Sequence, residues 1–506
     1  MSKVKPIILL TGLLALLSGC SKQKASFELE IITTSNLSGQ ALTPSEENIN
    51  YTTIANYKAF LQEEQENVLL FDLGDYIHGT AIANFDKGLN VVKVMNAVGY
   101  DAATIGNLEF NFGGAQLAIL KSEADFPILV GNVRKRGEME SFPQYKSFTI
   151  NGARIAVVGV TTPDIQWKVA QKNIEGWEVS DPIKVLKEII PKLRKEHDFI
   201  ILLSHLGDEG EITPAILAER VNGIDLIIDQ HDPTIPAEGT VVGKTTILSG
   251  FIDAHGLLHT SIAVEKGNIT AIVNRPLDLS AEELNAGYTL RESAQSVQVL
   301  LRNINRGFDD FLNTVLSFSS IYLDGTRESV RTSETNLGRL IADGLRADAG
   351  TQLAFMNGGG IRSSMNAGDI TFGNILSVLP FDGDIVSIEV TGQDLKDALE
   401  HGLREYPEPN AGFPHVSGFT YSYNLSAPAG SRIVEIWIDE KPINLEATYT
   451  IALLDFLATG GDGYTMFKKP IIQTFSKEAD AFTSYIRNGS EEIFTRVTQP
   501  RSWSAQ

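Results

Sequence analysis

Residues 68–75, Val68-Leu69-Leu70-Phe71-Asp72-Leu73-Gly74-Asp75, read as a buried strand that stops at a tight turn and hands an acidic side chain to the loop beyond it. The pattern recurs. Short β-rich runs at 29–33, 199–204 and 225–228 each end where a polar or glycine residue begins, and helical stretches such as the amphipathic 183–193 lie between them. Buried strands flanked by amphipathic helices predict a layered α/β domain over residues 27–280. In such domains ligand groups sit on loops just past the strand ends, so the strand-terminal residues carry the functional question.

At 506 residues the chain is too long for one core, and two substantial domains are expected. A polar stretch at 281–312 carries Leu284, Leu290, Val297, Leu300, Leu301 and Ile304 at helical spacing and reads as a linking helix. A second α/β region follows at 313–506, with helix signals at 334–346 and 393–403 and strand signals at 352–356 and 385–390. The formal net charge of −21 argues against a nucleic-acid backbone as partner, because phosphate tracking needs a basic surface. It leaves room for one small anionic ligand in a locally basic pocket.

Cys20 is the only cysteine, so the chain has no internal disulfide and no thiolate metal site. Lys3 and Lys5 precede an apolar run at 6–17, and Leu17-Ser18-Gly19-Cys20 follows it. The run is short for a membrane span and has the flanks of an export signal. Its end resembles a bacterial lipobox, which implies a signal peptide at 1–20, lipidation of Cys20 and a short polar tether at 21–26. The expectation is an exported chain, anchored by lipid to the bacterial membrane at its periplasmic face or in the outer membrane.

Five strand-end clusters hold the candidate chemistry: Thr34-Ser35-Asn36-Leu37-Ser38-Gly39, Leu73-Gly74-Asp75, Gly106-Asn107-Leu108-Glu109-Phe110-Asn111, Ser204-His205-Leu206-Gly207 and Asp229-Gln230-His231-Asp232-Pro233. An Asp, an Asn and two His after successive strands form an N/O donor set suited to a divalent first-row metal. Beyond the link, Asn357-Gly358-Gly359-Gly360-Ile361-Arg362 follows a strand. Its glycines suggest close approach of backbone to a ligand, and its Arg offers a planar fork for phosphate or carboxylate.

The order of these clusters resembles the calcineurin-like metallophosphoesterases and, with the second region, the 5′-nucleotidases. The resemblance implies a four-layer αββα sandwich joined by the linking helix to a smaller α/β substrate-binding domain. It implies two metals that clamp a phosphate and activate water. One metal's ligands correspond to Asp75, Asn107, His205 and His231, all present. The other metal's positions hold Asn36, Ser38 and Pro233, and the catalytic His and its Asp partner correspond to Leu108 and Asn111. The resemblance thus implies one divalent metal such as zinc or manganese, with the second lacking its ligands.

In the second region, Arg331 in Val330-Arg331-Thr332-Ser333-Glu334, Phe381 in Leu379-Pro380-Phe381, and Phe456 and Asp462 in the segment 455–464 are similar to the family's substrate pocket. The resemblance implies that Phe381 and Phe456 stack a base, Asp462 accepts from ribose, Asn357 contacts the base or its surroundings, and Arg331 and Arg362 meet phosphate. The expected function is nucleotide or nucleoside binding with two-metal hydrolysis impaired or lost. The alternative is an active phosphoesterase with an atypical metal site. Nothing in the sequence sets the oligomeric state.

Overall fold

The computed structural model describes residues 26–169, 171–231, 239–249, 254–278, 289–381 and 383–505. Pro233, Cys20 and the signal segment lie outside the described residues. Two compact units divide at Arg306/Gly307. Among the described residues no helix is long and apolar enough to cross a membrane.

The first unit is built on two sheets. One has five strands, with Phe27–Thr34 between Val68–Asp72 and Gly256–Glu265, the edges formed by Ala102–Ala103 and Asn268–Asp278. The other has six, with Phe199–His205 flanked by Ala153–Thr161 and Leu226–Asp229. Alternation along each strand assigns the faces. Leu29, Ile31, Leu69 and Phe71 meet Ile155, Val157, Phe199 and Ile201 in the core between the sheets. The intervening residues Ala156, Val158, Ile200 and Leu202 turn the other way, onto Ile183, Leu186, Ile190 and Leu193 of the helix Pro182–Leu193 and onto Leu217 of Pro214–Arg220. Helices Tyr51–Glu64 and Leu89–Val98 cover the first sheet, their apolar faces buried through Ile54, Leu61, Val91, Val94 and Met95. The result is the four-layer αββα sandwich.

Helix Glu292–Leu312 begins past the undescribed residues 279–288. Ala294, Val297, Leu301 and Ile304 are its buried stripe, at the spacing read from the sequence. It packs as part of the first unit as far as Arg306: the Arg291 N–H donates to Asn56 Oδ1 at 2.9 Å, and Asn305 Nδ2 to the Leu42 carbonyl at 2.9 Å.

The second unit centres on a five-stranded mixed sheet in the order Pro414–Ser417, Leu353–Asn357, Thr448–Leu454, Asp384–Thr391, Gln473–Lys477. Helices Asn336–Ala349 and Glu478–Asn488 cover one face through Leu340, Ile341, Leu345 and Phe482. Helix Gly392–Gly402 and the aromatics Phe413, Tyr421, Tyr464 and Phe467 cover the other. Strand Leu353–Asn357 runs parallel to Thr448–Leu454, and Thr448–Leu454 antiparallel to Asp384–Thr391. One end of the sheet therefore gathers the strand ends that carry Asn357, Phe456 and the chain entering from Phe381.

Candidate metal centre and nucleotide pocket

Strand register brings the first unit's clusters together. Thr34 pairs with Asp72 and Asp72 with Ala103, all in parallel ladders, so the loops at 35–39, 73–75 and 104–111 leave one sheet side by side. In the facing sheet, Thr161 pairs with His205 and Ser204 with Asp229, again parallel. The C-terminal strand ends of both sheets thus converge on one group: Asp75, His205 and His231 offer donor atoms that all lie within 4.8 Å of one another. Asn107 follows Gly106, whose hydrogen faces this group. A Cβ there would lie 2.5 Å from His205 Nε2 and closer still to Asp75 Oδ1, so only glycine leaves the space open.

Two buried atoms point to a missing partner. His205 Nε2 and Asn107 Oδ1 have no hydrogen-bond partner among the described residues. Burying such atoms unpaired costs on the order of 1–3 kcal/mol each, a cost that an ion in their midst removes. His205 Nε2 sits 3.4 Å from Asp75 Oδ2, the separation of two ligands of one ion rather than of a hydrogen bond, while its Nδ1 is fixed by the Leu73 carbonyl at 2.9 Å. Two imidazoles, a carboxylate and a carboxamide oxygen fit zinc or manganese.

Burial and charge are balanced around this group. Burial pulls the His205 imidazole down, but the Asp75 charge outweighs it and pushes the ring up to about 9. Burial opposes ionisation of Asp75, yet His205, with the Leu108 N–H and His231, holds its carboxyl below the usual range. Asp75 adopts a positive φ of 60°, as do Asn36 at 49° and Ser38 at 45°, so three side-chain-bearing residues take strained left-handed conformations around one centre.

Glu109 is what holds the Asp75 turn. Its buried carboxylate accepts from the N–H groups of Asp75 (2.9 Å), Tyr76 (2.9 Å), Ile77 (3.4 Å) and Gly106 (2.7 Å). Burial, with the Asp75 charge beside it, raises this carboxyl to about 7. Asp229 does the same for the His205 loop, accepting from the N–H groups of Leu206 and Gly207 at 3.0 Å. Neither role was read from the sequence, where an acid in a strand-end motif looks like a ligand.

The remaining positions of the first unit separate from this set. Asn36 Nδ2 lies 3.5 Å from the His231 carbonyl, and its Oδ1 is buried and unpartnered. Ser38 Oγ reaches only the Asp75 carbonyl, at 3.5 Å. Leu108 offers its backbone N–H to Asp75 Oδ1 at 2.8 Å, and its side chain has no group that moves a proton. Asn111 Nδ2 is 3.2 Å from His78 Nδ1. His259 lies away from the centre, bonded to Glu30 at 2.7 Å and Tyr57 at 2.8 Å inside the sheet.

The second unit brings Arg331, Asn357, Arg362, Phe381, Phe456 and Asp462 to one end of its sheet. Asn357 Nδ2 donates to Asp462 Oδ2 at 2.8 Å, while Asn357 Oδ1 is buried without a partner. Asp462 holds φ 51°, and its carbonyl meets His401 Nε2 at 2.8 Å. Phe381 and Phe456 are 59% and 49% exposed. The Arg362 guanidinium lies 5.4 Å from the Phe381 ring centre. Partial burial and the charges of Arg327 and Arg362 disfavour the Arg331 cation and lower its pKa, and its Nε is buried and unpartnered. Like charges crowded this way call for an anion. Arg327, absent from the sequence reading, belongs to this cluster.

The glycines of 358–360 play a different part from the one expected. A Cβ on Gly358 would overlap the Val330 carbonyl oxygen, and one on Gly360 would overlap Met356 Cε. They let the loop close on the short helix Ser329–Thr332, and that is what carries Arg331 to the Asn357 end of the sheet. Gly359 meets Ala411. The close approach is to protein.

A donor set at converging strand ends of an αββα sandwich, followed by a domain with an arginine and aromatic cluster, is the architecture of a two-domain metallophosphoesterase. The 5′-nucleotidase C-terminal domain profile matches residues 314–469. The chain is 31% identical over 476 residues to the trifunctional nucleotide phosphoesterase protein YfkN of Bacillus subtilis, covering 80% of this chain and 30% of that one. It is 28% identical over 467 residues to the 5′-nucleotidase of Bos taurus, covering 83% of this chain and 79% of the relative. The solved 5′-nucleotidase precursor of Thermus thermophilus superposes with a TM-score of 0.55 at 26% identity, covering 95% of this chain and 100% of that one. Along most of its length the chain is similar to 5′-nucleotidases, and residues 314–469 match their C-terminal domain.

Proposed function

We propose that this chain is a nucleotide-binding member of the 5′-nucleotidase family that holds one divalent metal and has lost efficient two-metal hydrolysis of the phosphomonoester. The observation that carries it is the split within the first unit. Asp75, His205 and His231 converge on one group, and His205 Nε2 and Asn107 Oδ1 lack partners among the described residues, while Asn36 and Ser38 bring neutral groups and Leu108 an inert one. A two-metal clamp neutralises both the attacking and the leaving oxygen, and its ions sit about 4 Å apart. With one ion and no acid–base side chain, a factor of roughly 10²–10⁴ from proton transfer alone is gone.

The pocket supports the binding half. Arg331 and Arg362 supply charge for a phosphate, Phe381 and Phe456 supply exposed faces for a base, and Asp462 beside Asn357 supplies acceptors for a ribose. The chain acts outside the cell membrane, tethered through a lipidated Cys20 on the periplasmic face or in the outer membrane. Zinc or manganese occupies the one centre.

A second reading, an active phosphoesterase with an atypical site, has one observation in its favour. The buried Asn36 Oδ1 has no partner and is an oxygen donor a second ion would accept. Elemental analysis of purified protein decides between the two. About one metal per chain supports the binding reading, and two tightly held metals sink it.

A further inference from the structure

Lys168 ends the single-turn helix Ile165–Lys168, which follows the strand Ala153–Thr161 beside the His205 strand. Its Nζ lies 2.8 Å from His231 Nε2 and 3.7 Å from the carboxylate of Asp164, one turn back on the same segment. Asp164 is largely buried, so the ammonium, on a side chain that is 38% exposed, has one fixed counter-charge beside it. No sequence motif marks Lys168, and the metal donor set described above does not use it.

The chemistry of this pair is restrictive. A lysine ammonium has three donors and no acceptor, so Lys168 donates and His231 accepts. A neutral imidazole has one N–H and one lone pair. With the Nε2 lone pair taken by Lys168, the proton resides on Nδ1, and neither nitrogen of His231 is left to ligate a metal. The Lys168 bond and a metal bond to His231 exclude one another.

We infer that Lys168 is an internal cation that competes with the divalent metal for His231 and so sets the affinity of the centre. The inference rests on the metal-centre reading above and adds a residue to it. Metal entry requires the ammonium to give up its imidazole, and Asp164 keeps that ammonium close enough to return when the metal leaves. His205, whose Nε2 faces the group unpartnered, carries no such rival.

The test is calorimetric titration of metal-stripped full-length protein with Mn²⁺. Lys168→Met is expected to bind Mn²⁺ about tenfold more tightly than the parent. Lys187→Met, which removes an exposed charge from helix Pro182–Leu193, is expected to change nothing. In a His231→Ala background the Lys168→Met gain is expected to fall below about twofold, because the competed ligand is gone. Nitrogen NMR of the metal-free parent is expected to show His231 as the Nδ1–H tautomer, and Lys168→Met to lose that preference. Equal or weaker affinity in Lys168→Met, or a gain that persists without His231, overturns the competition. If neither the parent nor Lys168→Met binds Mn²⁺, the metal centre itself fails and the inference falls with it. Binding by the parent with no Lys168 effect removes only the inference.

Discussion

Gly106→Ala is the smallest change that fills the proposed metal position. Gly106 is not among the residues with positive φ, so alanine is conformationally allowed there and the effect comes from space alone. The new methyl would lie 2.5 Å from His205 Nε2 and nearer still to Asp75 Oδ1, well inside van der Waals contact. Overpacking of this kind costs about 1–3 kcal/mol, partly offset by the roughly 0.4–1 kcal/mol that alanine gains by restricting the unfolded chain. The larger consequence is for metal. At a hundredfold excess over its Kd a ligand stabilises the folded state by about 2.7 kcal/mol, worth roughly 5–11 °C in the transition of a unit this size. Thermal unfolding followed with and without Mn²⁺ reads this directly. The parent is expected to shift upward by that amount, and Gly106→Ala to unfold cooperatively with no metal-dependent shift. A variant that keeps the full shift would place the metal elsewhere and refute the geometric argument.

Three further outcomes follow from the same geometry. Arg331→Ala is expected to weaken AMP binding by about 10–100-fold in calorimetry while leaving adenosine affinity nearly unchanged, the mark of a charged hydrogen bond to phosphate. Introducing Asn36→Asp, Ser38→His, Leu108→His and Asn111→Asp together is expected to raise phosphate release from AMP by on the order of 10²-fold, and an unchanged rate would contradict the account of what was lost. Burial lowers the His415 imidazole to about 4, so it is neutral when folded, while its unfolded form takes a proton near 6.5. The unfolded state therefore binds more protons between pH 6.5 and 4, and the stability of the second unit falls across that window as pH drops, by about 3 kcal/mol. His415→Gln is expected to flatten this part of the stability curve, measured by denaturant unfolding at stepped pH.

The layers were legible because strand burial and helix amphipathy are local patterns. Residues 199–204 read as a buried strand for the same reason that Ile200 and Leu202 face a helix while Phe199 and Ile201 face the other sheet. The donor residues were legible as strand-end polar groups, since parallel register needs only neighbouring strands to bring Asp75, His205 and His231 together. What stayed hidden acts across the fold. Glu109 organises four N–H groups on two loops, and nothing in its own sequence neighbourhood separates that role from a ligand's. Lys168 sits on a single turn of helix too short to show a periodic face. Arg327 looks like a solvated loop cation until Arg331 and Arg362 are seen to share its field. The glycines after Asn357 read as ligand approach, and only the Val330 carbonyl opposite Gly358 reveals that they make room for protein.

The central claim is that this chain binds the nucleotide without efficiently cleaving it. Calorimetric titration of AMP into the Mn²⁺-loaded protein, with free phosphate assayed in the same cell afterwards, tests it most directly. The expected result is a saturable isotherm with one nucleotide per chain and no phosphate above the protein-free control. Phosphate release at an ordinary enzymatic rate, about 1–10³ per second, would contradict it.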